Sequence, residues 1–202
     1  MIVVKYFLII AFVLSLHTPE TKVILFFGYS LTAGYGLSME EAFPALAEKQ
    51  LIQLGKNVKV VNAGLSGETS AGGLSRIDWI LRQPIDIFVL ELGANDGLRG
   101  LPLGQTRKNL QSIIDKVKAK YPKTKFVLAG MMVPPNMGKE YAADFKKIYP
   151  DLAKKNNATL IPFLLQDVGG IEKLNQTDGI HPNVEGHTII ARNISKILEP
   201  LI

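Results

Sequence analysis

Short apolar runs alternate along this chain with longer stretches whose apolar residues recur every three to four positions, and polar, glycine-bearing segments follow the first three runs. The runs cover residues 23–27, 58–61, 85–90 and 125–129, with a shorter one at 159–162; the helical patterns cover 39–54, 71–82, 105–121, 139–156 and 184–198. Strands that read as unbroken apolar runs are buried on both faces, which a parallel sheet covered by its own crossover helices achieves. The alternation predicts an α/β fold, a five-stranded parallel sheet with helices on its faces. Pro44 fits the first turn of its helix, where the missing N–H is harmless, and Pro122 marks a helix stop. At 202 residues, 47% of them hydrophobic, the chain is sized for one such domain, read as residues 22–202.

In open α/β sheets ligands bind at the carboxyl ends of the strands. The segments arriving there are Gly28-Tyr29-Ser30, Asn62-Ala63-Gly64-Leu65-Ser66-Gly67-Glu68-Thr69 and Glu91-Leu92-Gly93-Ala94-Asn95-Asp96-Gly97. About 150 residues beyond the serine comes Asp178-Gly179-Ile180-His181-Pro182-Asn183. A serine hydroxyl is a weak nucleophile until a base takes its proton, and a neutral imidazole oriented by a carboxylate is the usual base. Ser30, His181 and Asp178 supply those three parts. The backbone N–H groups of Ser30 and Gly67 and the side-chain amide of Asn95 are candidate donors for the oxyanion of a tetrahedral intermediate. Each residue alone has a plainer reading: Ser30 as a helix cap, Asn95 as turn chemistry, the Asp178 and His181 pair as a surface turn. Their occurrence together, each just past a buried run or in one C-terminal segment, favours catalysis. His187 is read as a polar helix residue or a group backing the site residues, and His17 as part of a linker.

Ser30, Gly67, Asn95 and His181, in this order and context, resemble the four blocks that name the SGNH (GDSL) hydrolase family. The segment Asn95-Asp96-Gly97-Leu98-Arg99-Gly100 and the segment from Asp178 to Asn183 resemble its bacterial thioesterase I, lysophospholipase and arylesterase branch. The resemblance runs from about Lys22 to the C-terminus. It implies a flavodoxin-like three-layer α/β/α sandwich, no cofactor, and acyl ester or thioester substrates, lysophospholipids and aryl esters among them. Where the family usually places Asp before the serine, this chain has Tyr29. A tyrosine is larger, uncharged and bonds at longer reach, so a slower enzyme or a looser nucleophile turn is expected. The alternative is a catalytically impaired protein that binds lipid or acyl ligands.

Two loops are expected to wall the acyl site, residues 98–103 and residues 131–138, and the candidate substrate residues are Asp96 and Gly97 just before the first loop, Leu98 at its start, and Pro134, Pro135, Asn136 and Met137 in the second. With no cysteine, the chain has no disulfide, thiolate metal site or cysteine nucleophile, and three dispersed histidines form no ligand cluster. The formal charge of +5 comes from lysines spread along the chain, Lys116, Lys118, Lys120, Lys123 and Lys125 among them, with acids interspersed elsewhere in the sequence, a pattern of solvated helix faces rather than a nucleic-acid surface. A flavodoxin-like cofactor protein would need a phosphate loop after the first strand, where Tyr29 and Tyr35 stand instead. Residues 1–21 are read as a signal peptide or anchor plus linker: Lys5 precedes an apolar run of signal-peptide length, too short for a comfortable membrane span. The expectation is export to the periplasm or outside, or retention at the membrane, of a monomer or weak oligomer with a small-molecule substrate and no obligate protein partner.

Overall fold

The computed structural model describes residues 20–202; the expected signal segment lies outside them. Strands β1 (Lys22–Gly28), β2 (Val58–Gly64), β3 (Ile87–Glu91), β4 (Lys125–Ala129) and β5 (Thr159–Ile161) form one parallel sheet in the order β2-β1-β3-β4-β5. Ile24, Leu25, Phe26 and Phe27 on β1, and Phe88 and Val89 on β3, are buried on both faces of the sheet, which explains the lack of polar alternation in their sequence. Helix α2 (Phe43–Gln53) packs with α7 (Val184–Leu198), whereas α3 (Ser70–Ile80), α5 (Leu103–Lys120) and α6 (Lys139–Asn156) pack in series. The apolar stripes of α5, Leu110, Ile113, Ile114 and Val117, and of α7, Ile190, Ala191, Ile194 and Leu198, are almost wholly buried.

The predicted spans 125–129, 139–156 and 184–198 coincide with β4, α6 and α7. Helix α2 begins at Phe43 rather than at 39, because Glu41 Oε2 accepts from the Ser38 N–H and hydroxyl, forming a turn that ends before Pro44 enters the helix. Strand β2 runs on to Gly64, and β3 starts two residues later than its apolar run. Two short helices have no periodic signature: α1 (Ser30–Ala33) and α4 (Ala94–Leu98). Both follow central strands, and both carry candidate site residues.

The strand order reverses direction between β1 and β3, since the chain leaves β1 toward β2 on one side and returns to β3 on the other. The connections diverge there and open a crevice at the carboxyl ends of these strands. Gly28, the last residue of β1, pairs in register with Gly64 of β2 and Glu91 of β3, so the segments after all three strands emerge side by side. No helix among the described residues is long and apolar enough to cross a membrane.

Candidate active site

Ser30 opens α1 immediately after β1 and is 7% exposed. The short helix is anchored at its C-terminal end: Gly34, at φ 74°, caps it in the left-handed region, and the Asn62 side-chain amide donates to the Thr32 carbonyl at 2.8 Å. The Ser30 and Gly67 backbone N–H groups find no acceptor among the described residues. Gly67, at φ 78°, is the third residue of a turn closed by Glu68 N–H donating to the Leu65 carbonyl at 3.1 Å, a position that favours glycine. That turn is held from the β3 side: Asn95 Nδ2 donates to the Glu68 carbonyl at 2.9 Å, and an Arg99 guanidinium nitrogen to the Gly67 carbonyl at 3.0 Å. One N–H of the Asn95 amide remains available to the cleft, which Asn95 lines.

The C-terminal segment reaches Ser30 through a loop between β5 and α7. An isolated antiparallel bridge between Asn175 and Pro182 closes it, with Gln176 N–H donating to the His181 carbonyl at 2.7 Å. The Gln176 side-chain amide donates to the carbonyls of Tyr35 at 2.7 Å and Pro182 at 3.0 Å, lashing the histidine loop to the segment after α1. Nε2 of His181 then stands 2.9 Å from Ser30 Oγ, and Nδ1 stands 2.7 Å from Asp178 Oδ2. The other Asp178 oxygen accepts the N–H groups of Ile180 and His181, both at 3.0 Å. Those backbone bonds, with the imidazole contact, pull the Asp178 carboxyl down to about 2. An ionised Asp178 keeps the imidazole proton on Nδ1 and leaves the Nε2 lone pair to accept the serine proton.

Tyr35, half exposed, lays its ring against His181 with centroids 4.6 Å apart. Neither Tyr35 nor Gln176 carries a motif signal; both are visible only once the two distant loops meet. His187 is buried in α7, where its Nδ1 accepts the Phe43 N–H at 3.0 Å, and desolvation lowers its pKa to about 4. It is a neutral core residue of the α2–α7 contact.

A cleft of about 480 Å³ opens beside Ser30, with Leu31, Leu98, Met131, Val133, Phe163 and Leu165 among its apolar walls. Of the expected substrate residues, Leu98 and Pro134 line it. Asp96 does not: it is 2% exposed and turns inward, accepting from Ser70 N–H at 2.8 Å and from the Ser70 and Thr106 hydroxyls. It ties α4 to the start of α3, and so holds Asn95 and the Gly67 turn together. Gly97 is likewise buried, with Val133 and Phe145 crowding the space a side chain would need. Asn136 and Met137 stand outside the cleft lining, in the one-turn helix that Pro135 opens. Beyond Leu98 the first expected wall also fails: the Leu101 side chain is exposed, and its carbonyl accepts the Tyr141 hydroxyl at 2.9 Å. Of the second expected wall, Met131 to Pro134 line the cleft, and Phe163, Leu165, Gly169 and Gly170 in the loop after β5, a stretch with no polar motif to mark it, complete the lining.

Tyr29 stands immediately before Ser30, between β1 and α1. Its ring is 5% exposed, packed in the core and against the cleft, and it leaves the contact between Ser30 and His181 formed. Among the described residues no group of three His, Asp or Glu could hold a metal ion.

Residues 26–189 match the GDSL-like Lipase/Acylhydrolase family. Esterase TesA of Pseudomonas aeruginosa is 37% identical over 194 residues, covering 96% of this chain and 96% of that protein. Thioesterase 1/protease 1/lysophospholipase L1 of Escherichia coli K12 is 38% identical over 190 residues, covering 94% of this chain and 89% of that protein. A crystal structure of TesA superposes with a TM-score of 0.84 at 38% identity, over 90% of this chain and all of that one. With its motifs, its 2-1-3-4-5 sheet and these matches in agreement, the chain belongs to the GDSL-like lipase/acylhydrolase family.

Proposed function

We propose that this protein is a carboxylic ester hydrolase that cleaves acyl esters or thioesters through an acyl-enzyme on Ser30. The observation that carries the reading is the unbroken relay from Ser30 Oγ to His181 Nε2 at 2.9 Å and from His181 Nδ1 to Asp178 Oδ2 at 2.7 Å. As Ser30 Oγ attacks the carbonyl carbon, His181 takes the hydroxyl proton and the carbonyl oxygen becomes an oxyanion. The N–H groups of Ser30 and Gly67 and the Asn95 amide receive that charge; one such donor is typically worth about 100- to 1000-fold in rate. Collapse breaks the bond to the leaving group, which departs with the proton from His181. A water molecule, deprotonated by His181, then attacks the acyl-serine, and the second collapse frees the acid and restores the serine hydroxyl. Asp178 orients the ring and stabilises the imidazolium in both halves.

Relatives named esterase, arylesterase and thioesterase/lysophospholipase support acyl substrates of small-molecule or lipid type. The apolar cleft supports an acyl chain lying against Leu98, Met131 and Phe163. The apolar segment after Lys5 supports export. The relay assembled beside the buried Tyr29 ring supports turnover over the alternative of a protein that only binds lipid or acyl ligands. Wild-type protein is expected to hydrolyse p-nitrophenyl acetate and to be labelled by a fluorophosphonate, and Ser30→Ala to do neither. Wild-type turnover by Ser30→Ala would refute the assignment.

A further inference from the structure

Glu91 is a buried acid that the relay does not use. It ends β3, pairs in register with Gly28 immediately before the nucleophile turn, and is 1% exposed. The Thr32 hydroxyl, two residues beyond Ser30 on α1, donates to Glu91 Oε2 at 2.6 Å, whereas Oε1 has no hydrogen-bond partner among the described residues. A methyl group at Gly28 would collide with both Thr32 Oγ1 and Glu91 Oε2, so the glycine is what lets the carboxyl reach under α1.

The groups around the carboxyl offer it no counter-charge. From the turn between β1 and α1 comes the Tyr29 phenol, from α1 the Thr32 hydroxyl, and from α6 the Tyr149 phenol, itself donating to the Leu92 carbonyl at 3.0 Å. Asp96 on α4 lies beyond, near enough to act on Tyr149. Among the described residues no lysine, arginine or histidine pairs with Glu91. An ionised carboxylate placed so, with one oxygen unpartnered, is heavily penalised, and the proton stays on.

We propose that Glu91 is a positioning residue for Ser30: its uncharged carboxyl, bonded to Thr32, fixes the turn that aims Ser30 Oγ at His181, and loss of its proton to solvent releases that turn. This rests on the serine-hydrolase reading above. Burial pushes the Glu91 carboxyl up to about 8, against the pull of the Thr32 hydroxyl and of Tyr29, so the release falls on the alkaline edge of the working range. Tyr29 fits the same arrangement. Burial and the neighbouring Glu91 push its phenol well above its ordinary value, so it stays neutral while Glu91 titrates, where an Asp at position 29 would set a second carboxyl beside the first.

The test is kcat for p-nitrophenyl acetate, corrected for spontaneous hydrolysis, across the pH range from about 6 to about 10. The wild type is expected to lose about tenfold in kcat between about pH 7 and about pH 9 through a single ionisation near 8. Glu91→Gln keeps the shape and the acceptor for Thr32 without the proton, and its kcat is expected to stay level over that interval. A purely structural Glu91 would lower kcat at every pH and leave the alkaline limb where it is; that limb persisting in Glu91→Gln overturns the proposal. If Glu91→Gln does not fold, Thr32→Val decides: with the hydroxyl gone the carboxyl has no hold on α1, so kcat near pH 7 must fall and the alkaline limb must shrink, and a wild-type profile refutes the idea. Fluorophosphonate labelling of Ser30→Ala separates the two levels. Labelling that persists defeats the hydrolase reading itself, whereas silence there with an insensitive limb defeats the Glu91 role alone.

Discussion

Replacing Gly64 by alanine should disable Ser30 without touching it. Gly64 ends β2 beside Gly28, and a methyl group there would meet the Ala33 backbone, with Ala33 Cα and the Thr32 carbonyl carbon both at 2.7 Å. Carbon atoms rest about 3.5–4.0 Å apart, so α1 must retreat by about 1 Å. The obstacle is main chain, which no rotamer change relieves. The retreat pulls against the Asn62 amide on the Thr32 carbonyl at 2.8 Å and against the 2.9 Å contact of Ser30 Oγ with His181, which at about 4 Å is no longer a hydrogen bond. Overpacking of this kind costs about 1–3 kcal/mol, and a displacement of about 1 Å in a reacting group costs about 100-fold in rate. Gly55→Ala is the matched comparison. Its methyl meets nothing within 4 Å, and its φ of 78° strains any side chain, so it should lower stability by about 1–2 kcal/mol and leave kcat alone. The assays are the fluorophosphonate labelling rate and thermal denaturation of both variants. Wild-type labelling by Gly64→Ala, or an equal loss of labelling in Gly55→Ala, would refute the steric argument.

Asp178→Asn is expected to lower kcat by about 100- to 10,000-fold with the fold intact, because an amide cannot hold the proton on Nδ1 as a carboxylate does; circular dichroism with kcat checks it. The Asp178 carboxyl, held down to about 2, contributes stability that is present above its ordinary value and lost as pH falls through the folded one, and a carbon-detected titration should find it ionised at pH 4. His187 works in the opposite sense, as a base kept neutral by burial. Its unfolded form takes a proton near 6.5 and its folded form only near 4, so stability falls as pH drops through that window, by about 3 kcal/mol in all. His187→Gln should lose this part of the acid dependence of the melting temperature, and an unchanged acid slope would show that the imidazole titrates freely.

The sheet was legible because its strands are buried on both faces: residues such as Ile24 to Phe27 and Phe88 have no solvent side to vary, so burial is written as unbroken apolar runs. Helices α5, α6 and α7 were legible for the complementary reason, each showing the core one stripe at helical spacing. Helices α1 and α4 were not, since four or five residues hold no period, and their stability comes from caps such as Gly34 and from bonds such as Asn62 to Thr32. Ser30 and Asn95 stood out by residue type and place after a run, and Asp178 and His181 by residue type and spacing; the structure brings Ser30, His181 and Asp178 into contact. Asp96 was misread because an acid beside Asn95 looks like site chemistry in a string, and only packing shows its carboxylate turned onto Ser70 and Thr106. Local order thus determined the strands and the long helices, each set by burial or propensity within a few neighbouring residues. The tertiary structure alone decided that Gln176 lashes the histidine loop to Tyr35, that Phe163 and Leu165 complete the cleft lining, and that Glu91 lies beneath the serine turn bonded to Thr32, because each depends on contacts between segments far apart in the chain.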